Sequence, residues 1–273
     1  MKLSVPFGQL ITAGDLIGKN MEETIEHCLE LGIGSMDFSL GSMEARNIPY
    51  SYIKNIYKTY GLRCDSTCDV IEFEGKNRDD LKEQSKRFLE KCADLDCPVF
   101  MPVPIITKKH ETEEARRETL KRVIEYLNDT AELSKKYNVI TTVENYSDTN
   151  IPVSYISDMA EIFDNAPDVK YVFDVGIFWF GGTDSLEACK KFADRTVYVH
   201  LKDLVESPEG WLKISGRCSD SVAIGDGELP VYECINVLKN AGYSGAYQVE
   251  INHIEKNLMS DIEKSVANLK ANV

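Results

Sequence analysis

No stretch of this 273-residue chain approaches the roughly 18 consecutive apolar residues that a membrane-spanning helix needs. The start, MKLSVPFGQL, lacks a basic segment followed by an apolar one, so no secretory leader is expected. No G-x-G-x-x-G follows the first strand candidate, and no G-x-x-x-x-G-K-[ST] occurs, so the phosphate-cradling signatures of nucleotide-binding folds are missing. Positive charge is short: 31 Lys and Arg stand against 45 Asp and Glu, a formal net charge of −14. Phosphate binding runs on Lys and Arg, so neither nucleic acid nor an anionic membrane is an expected partner. A small neutral or cationic substrate remains open, as does a locally basic pocket. Paired cysteine motifs are absent as well. The eight cysteines are scattered, and CDSTC (64–68) has neither the two-residue spacing nor the second pair of a zinc finger. They read as structural thiols of a cytoplasmic protein.

Short, β-branched and aromatic stretches recur along the chain. Strands are expected at Lys2–Val5, Gly34–Phe38, Arg63–Val70, Val99–Val103, Val139–Glu144, Tyr171–Asp174, Val197–Leu201 and Tyr247–Ile251. Apolar residues at helical spacing lie between them, as with Leu120, Val123, Ile124, Leu127 and Ala131, or Val231, Cys234, Ile235 and Leu238. Gly242 follows the latter where a left-handed C-terminal residue is wanted. Eight strands alternating with eight helices imply parallel strands and crossover helices. In this length they fit a closed (β/α)8 TIM barrel, for which about 250 residues is typical. The expectation is one domain over 1–273, with one long irregular stretch after the seventh strand, at about 205–230. A loop of that length in a compact domain is usually functional.

Barrel active sites are built at the C-terminal ends of the strands. There, strand five ends on Glu144, strand six on Asp174, strand seven on His200 and strand eight on Glu250. Neighbouring strands are about 4.8 Å apart, so four side chains at one height of a closing rim converge on one volume. Three carboxylates and an imidazole repel or stay protonated without a cation, and one divalent ion neutralises them. A lone acid at a strand end is usually a helix cap or a salt-bridge partner. Four on four successive strands point to a metal site instead, with oxygen-rich ligation suited to Mn2+, and also to Mg2+ or Co2+.

These stretches also carry a resemblance. VENYSD (143–148), FDVG (173–176), VHLKD (199–203), GDGELP (225–230) and AGYSGAYQVE (241–250) resemble the xylose-isomerase-like TIM-barrel superfamily of sugar isomerases and epimerases. The match is dense in the second half and mainly one of layout in the first. In the ketose 3-epimerase-like branch, the matching Glu, Asp, His and Glu hold one divalent metal, and the two Glu exchange protons with substrate. Carried over, Glu144, Asp174, His200 and Glu250 are the metal ligands, and Glu144 and Glu250 are the catalytic pair. The chemistry is coherent. A Lewis-acidic ion stabilises the enediolate of a ketose, and a carboxylate on each side of the carbon moves the proton. The resemblance implies an isomerase or epimerase acting on a ketose or related polyol, with a carbohydrate as the small-molecule partner and a homo-oligomer possible.

The chain departs from the pattern after strand six, where many relatives read Asp-x-x-His and this one has Ile177. With Phe178 and Trp179 it makes an apolar rim, which suggests a substrate with a non-sugar portion or a covering partner. Trp179 is a candidate to stack on a sugar face or to pack under the loop. Lys202, Arg217 and His253 are further substrate-site candidates. A metal-dependent dehydratase or lyase uses the same opening step, and the missing His favours it. A non-catalytic sugar-binding barrel would not need two opposed Glu. The superfamily's nuclease branch needs three metals and many His ligands, against four His in this chain.

Overall fold

The computed structural model describes residues 1–106, 110–253, 255 and 257–273. Its strands are β1 (Lys2–Pro6), β2 (Ile33–Asp37), β3 (Thr67–Glu72), β4 (Val99–Ile105), β5 (Ile140–Glu144), β6 (Lys170–Asp174), β7 (Thr196–Leu201), β8 (Asp203–Glu206), β9 (Leu212–Ile214), β10 (Arg217–Val222) and β11 (Ala246–Val249). Eight of them form one parallel sheet in the order β2-β1-β11-β7-β6-β5-β4-β3. The open edges meet: the Phe38 N–H donates to the Ser66 carbonyl at 3.1 Å, and the Cys68 N–H donates to the Phe38 carbonyl at 3.0 Å. The sheet is therefore a closed (β/α)8 barrel, as the alternation implies.

Side-chain alternation along each strand builds two cores. On β6, Tyr171 and Phe173 point outward, and Tyr171 meets Phe163 and Phe192 of the helical shell at ring distances of 5.6 and 5.8 Å. Val172 points inward and packs with Val99, Met101, Tyr198 and Ala246 in the lumen. Above them lies a polar layer. Asp37 accepts from Ser4 Oγ at 2.6 Å, from Tyr198 Oη at 2.5 Å and from Gln248 Nε2.

The helical shell is more finely divided than eight helices. Two helices, Phe7–Ile17 and Met21–Glu30, follow β1, and two more, Leu40–Ala45 and Tyr50–Tyr60, follow β2. Gly18, left-handed at φ +72°, ends the first, and Pro49 separates the second pair. The Asn20–Glu23 capping box opens Met21–Glu30. Helix Val231–Asn240 ends as expected, with Gly242 left-handed at φ +89°.

The stretch at 205–230 is not irregular. β8, β10 and β9 form a small antiparallel sheet standing on the end of β7. Ser215 and Gly216, at φ +52° and +81°, join β9 to β10. Positive φ at both residues is the type I′ geometry that matches strand twist in a two-residue hairpin. The base of this insertion is tied by Asp203, whose carboxylate accepts the N–H groups of Leu204, Gly225, Gly227 and Leu229 at 2.8–3.1 Å. A Cβ on Gly227 would stand 2.1 Å from Asp203 Oδ1, so only glycine fits that turn.

Asp69 is the outward counterpart on β3. Its Oδ1 accepts the Gly41 N–H at 3.1 Å at the start of helix Leu40–Ala45, while its buried Oδ2 has no partner among the described residues. Burial pushes its carboxyl up to about 7 from 3.8. The folded state thus binds more protons than the unfolded chain between about pH 4 and 7. Stability from this group is full below that window and is lost as pH rises through it, at up to ~1.4 kcal/mol per pH unit. Denaturant melts of wild type and Asp69→Asn at pH 5 and pH 8 check this. The wild type should lose stability relative to the variant at the higher pH, and an unchanged difference would refute the assignment.

Candidate metal centre

The lumen alternation delivers the four strand-end residues to one place. Val172 and Asp174, Tyr198 and His200, and Gln248 and Glu250 are each two residues apart, so both members of a pair face inward. The heights are not equal, however. Asp174 and Gln248 are both level with His200, while Glu144 is level with Val172, and Glu250 stands two residues beyond Gln248. The four side chains climb around the rim with the stagger that barrel closure imposes. The expectation of one common height is corrected in this respect, and convergence is kept.

His200 is the hub. Its Nδ1 lies 2.6 Å from Glu144 Oε1, 3.3 Å from Glu250 Oε2 and 3.8 Å from Asp174 Oδ2. Glu144, Asp174 and His200 each offer a ligand atom within 4.8 Å of the others. Asp174 is fully buried and divides its oxygens: Oδ1 accepts the N–H groups of Gly176 and Ile177 at 2.7 and 3.0 Å, and Oδ2 faces the site. A strand that ends on a carboxylate here caps the next turn with one oxygen and presents the other to His200 and Lys202.

Lys202 is buried rather than on the surface. Its Nζ lies 2.5 Å from Asp174 Oδ2 and 2.8 Å from Glu250 Oε1. The electrostatics follow from these contacts. Burial alone would push the His200 imidazole down, but Glu144 and Glu250 hold it up to about 9. Burial raises Asp174 to about 6 against the pull of Lys202. Glu250 falls below the usual carboxylate range, because Lys202 and His200 outweigh its burial. Burial works against the Lys202 ammonium, yet Asp174 and Glu250 hold it above its ordinary value. A protonated imidazole among three carboxylates marks a locus that favours cations. The donor set of carboxylate oxygens and one neutralisable imidazole fits a divalent ion, and binding it would displace the imidazole proton.

The site opens into a cavity of about 220 Å³ whose wall includes Phe7, Phe38, Cys68 and Met101, with Glu144, His200 and Glu250 at its base. The remaining candidates lie outside it. Trp179 and Arg217 find each other: the guanidinium lies 3.8 Å from the indole centroid and donates to the Trp179 carbonyl. Phe178 and Phe180 are core residues, so the apolar run after Asp174 is mostly interior, and the chain's own insertion covers its exposed part. Ile177 is half-buried. His253 pairs with Asp261 at 2.9 Å, beside the cavity rather than in it. Asn145 faces away, accepting from Tyr171 Oη at 2.6 Å. Asp37 and Gln248 line the cavity unanticipated. Asp37 also ends its strand, so the strand-end argument applied to the first half would have found it.

Known proteins resemble the chain as a whole. A curated inosose isomerase from Halalkalibacterium halodurans is 22% identical over 249 residues, covering 88% of this chain and 85% of that protein. An inosose dehydratase from Clostridium tetani is 26% identical over 166 residues, covering 57% of this chain and 52% of that protein. Among solved structures, an IolI protein with a bound zinc atom superposes with a TM-score of 0.77 at 16% identity, covering 100% of this chain and 99% of that one. The family described as xylose isomerase-like TIM barrel matches residues 21–271, and the chain belongs to that family.

Proposed function

We propose that the chain is a divalent-metal-dependent isomerase or epimerase that moves a proton next to the carbonyl of a ketose or cyclic polyhydroxy ketone. The observation that carries this reading is the flanking of His200 Nδ1 by Glu144 and Glu250, with Asp174 completing the donors. Glu144, Asp174, His200 and Glu250 would hold the ion. When bound, the ion supplies Lewis acidity that polarises the substrate carbonyl, and oxygen-rich ligation makes Mn2+ the expected occupant. Glu144 engages His200 through Oε1, which leaves Oε2 to take the proton from carbon. Glu250 stands across the site to handle the proton on the opposite face. The apolar walls at Phe7, Phe38 and Met101 limit water around that exchange. The relatives support an enzyme of this kind, since they include an inosose isomerase. The cysteines, free in the structure, suit a cytoplasmic location.

A second reading is dehydration, and one observation favours it. Lys202 clamps Glu250 at 2.8 Å, so one of the two carboxylates is engaged while Glu144 keeps an oxygen for chemistry. A single free base suffices to remove a proton before a β-hydroxyl leaves. The inosose dehydratase relative fits this alternative.

Two measurements test the proposal. Elemental analysis of protein incubated with Mn2+ and desalted should give about one ion per chain in wild type and clearly less in Glu144→Gln. Equal metal in both would remove Glu144 from the ligand set, and no metal in wild type would end the metal-dependent reading. The loaded protein should then be incubated with ketoses and inososes in deuterated water. Deuterium on the carbon beside the carbonyl, with an epimer or isomer appearing, supports the first reading. Product lacking one water supports the second, and no exchange or loss with any ketone refutes both.

A further inference from the structure

The polar layer of the lumen contains one amide that the chain holds by one end only. Gln248 stands two residues before Glu250 and level with His200, so it also faces the lumen, about 7 Å deeper along the strand than Glu250. It is 2% exposed, and it borders the central cavity together with Asp37, His200 and Glu250. Its Nε2 donates to Asp37 Oδ2. The other oxygen of Asp37 is taken by Ser4 Oγ at 2.6 Å and Tyr198 Oη at 2.5 Å. The amide is thus gripped by a carboxylate that is itself gripped from two sides. An ionised carboxylate only accepts, so it takes the NH2 end of an amide and turns the oxygen end away.

That oxygen end is free. Gln248 Oε1 accepts no hydrogen bond from any described residue. Unlike His200 Nε2 and Asn145 Nδ2, it is not sealed inside the protein either. Because the residue borders the central cavity and is otherwise buried, its oxygen opens into that cavity. Other polar groups of the wall are engaged. Ser39 Oγ donates to Ser42 Oγ at 3.0 Å and accepts the Ser42 N–H at 3.1 Å. Glu144, His200 and Glu250 belong to the ion site. Gln248 Oε1 is therefore an uncharged acceptor, fixed in direction, that faces the reaction volume without a donor.

We propose that Gln248 determines specificity at this site by accepting a hydrogen bond from one substrate hydroxyl, with Asp37 fixing the amide in its accepting orientation. This rests on the reading of the site given above and deepens it, because the group seated against Gln248 must donate. A hydroxyl donates. A carbon without one does not, nor does a carboxylate or phosphoryl oxygen, and those two anions would also meet Glu144, Glu250 and Asp37 around the same cavity. The substrate is thus a neutral polyhydroxy ketone that carries a free hydroxyl at its most deeply seated end. A ligand lacking that hydroxyl strips water from Oε1 and returns nothing, which is the source of the discrimination. Placement of the amide by Asp37 before the ligand arrives removes the cost of ordering it.

Calorimetric titration of protein incubated with Mn2+ tests this without turnover. The probes are D-fructose, D-sorbose and 2-keto-myo-inositol, with their singly deoxygenated and singly fluorinated analogues. The work is done at pH 8, where Asp37, held up to about 7 by burial, is ionised. For at least one ketone, removal of one hydroxyl should weaken binding to wild type about three- to tenfold, the worth of one neutral hydrogen bond. Fluorine in its place, which accepts but cannot donate, should not restore binding. Gln248→Met should weaken the parent ketone by the same factor and leave the analogue lacking that hydroxyl unchanged. Asp37→Asn offers an N–H where the carboxylate oxygen stood, so the amide should turn over and the fluoro analogue should then bind better than the deoxy analogue. Binding of no ketone by wild type overturns the proposal, as does fluorine serving as well as hydroxyl, and neither outcome needs a variant to fold. Equal weakening of the parent and every analogue in Gln248→Met overturns it too. Deuterium exchange with negative titrations leaves the proton-transfer reading standing, and positive titrations without exchange leave the hydroxyl contact standing while that reaction falls.

Discussion

Three carboxylates directed at one imidazole, inside a rim where Asp174 is wholly buried, set the terms for the rest of the structure. Unpaired charge of that density is unaffordable in a protein interior, so every neighbouring element is arranged to answer it. The Gly176 and Ile177 N–H groups take one oxygen of Asp174. Lys202 takes the other and reaches Glu250. The close passage this requires explains Gly176: a Cβ there would lie 2.9 Å from Lys202 Cβ. The sequence D-V-G at the end of β6 is therefore dictated by the site as much as by the turn.

Much of this was legible in the sequence because it depends on short-range rules. A strand has period two, so a residue two positions above a lumen residue is also a lumen residue. A strand end can be located from its β-branched run and the helix that follows. Those two rules place Glu144, Asp174, His200 and Glu250 on the inner face of the rim. Relative height was not legible, because stagger belongs to the closed barrel and not to any single strand. The Lys202 clamp was hidden for a related reason. Residue 202 follows the last residue of β7, where alternation no longer says which way a side chain turns.

The 205–230 stretch shows the opposite case. Its strands are short and carry few apolar residues, so hydrophobic patterning could not separate them from loop. The Ser215–Gly216 pair was the available turn signal, and it marks the hairpin. The contact between Arg217 and Trp179 could not be anticipated from either residue alone, since it joins positions far apart in sequence. Once made, it changes the meaning of the apolar run after Asp174. Those aromatics are the floor on which the insertion rests.

The distribution of charge then has a direction. One ammonium, that of Lys202, serves Asp174 and Glu250, while Glu144 is answered by the imidazole of His200. An ammonium fixed to the chain cannot take the place of a divalent ion, because it carries one charge and sits against two of the three carboxylates. The uncompensated negative charge therefore lies between Asp174 and Glu250, which share the one ammonium, while Glu144 and His200 face the cavity together. Glu250, held by Lys202 and by the Asn252 amide, lines the same cavity. The two glutamates, similar in sequence, are unequal in the fold: one answers an imidazole, and the other shares an ammonium with Asp174.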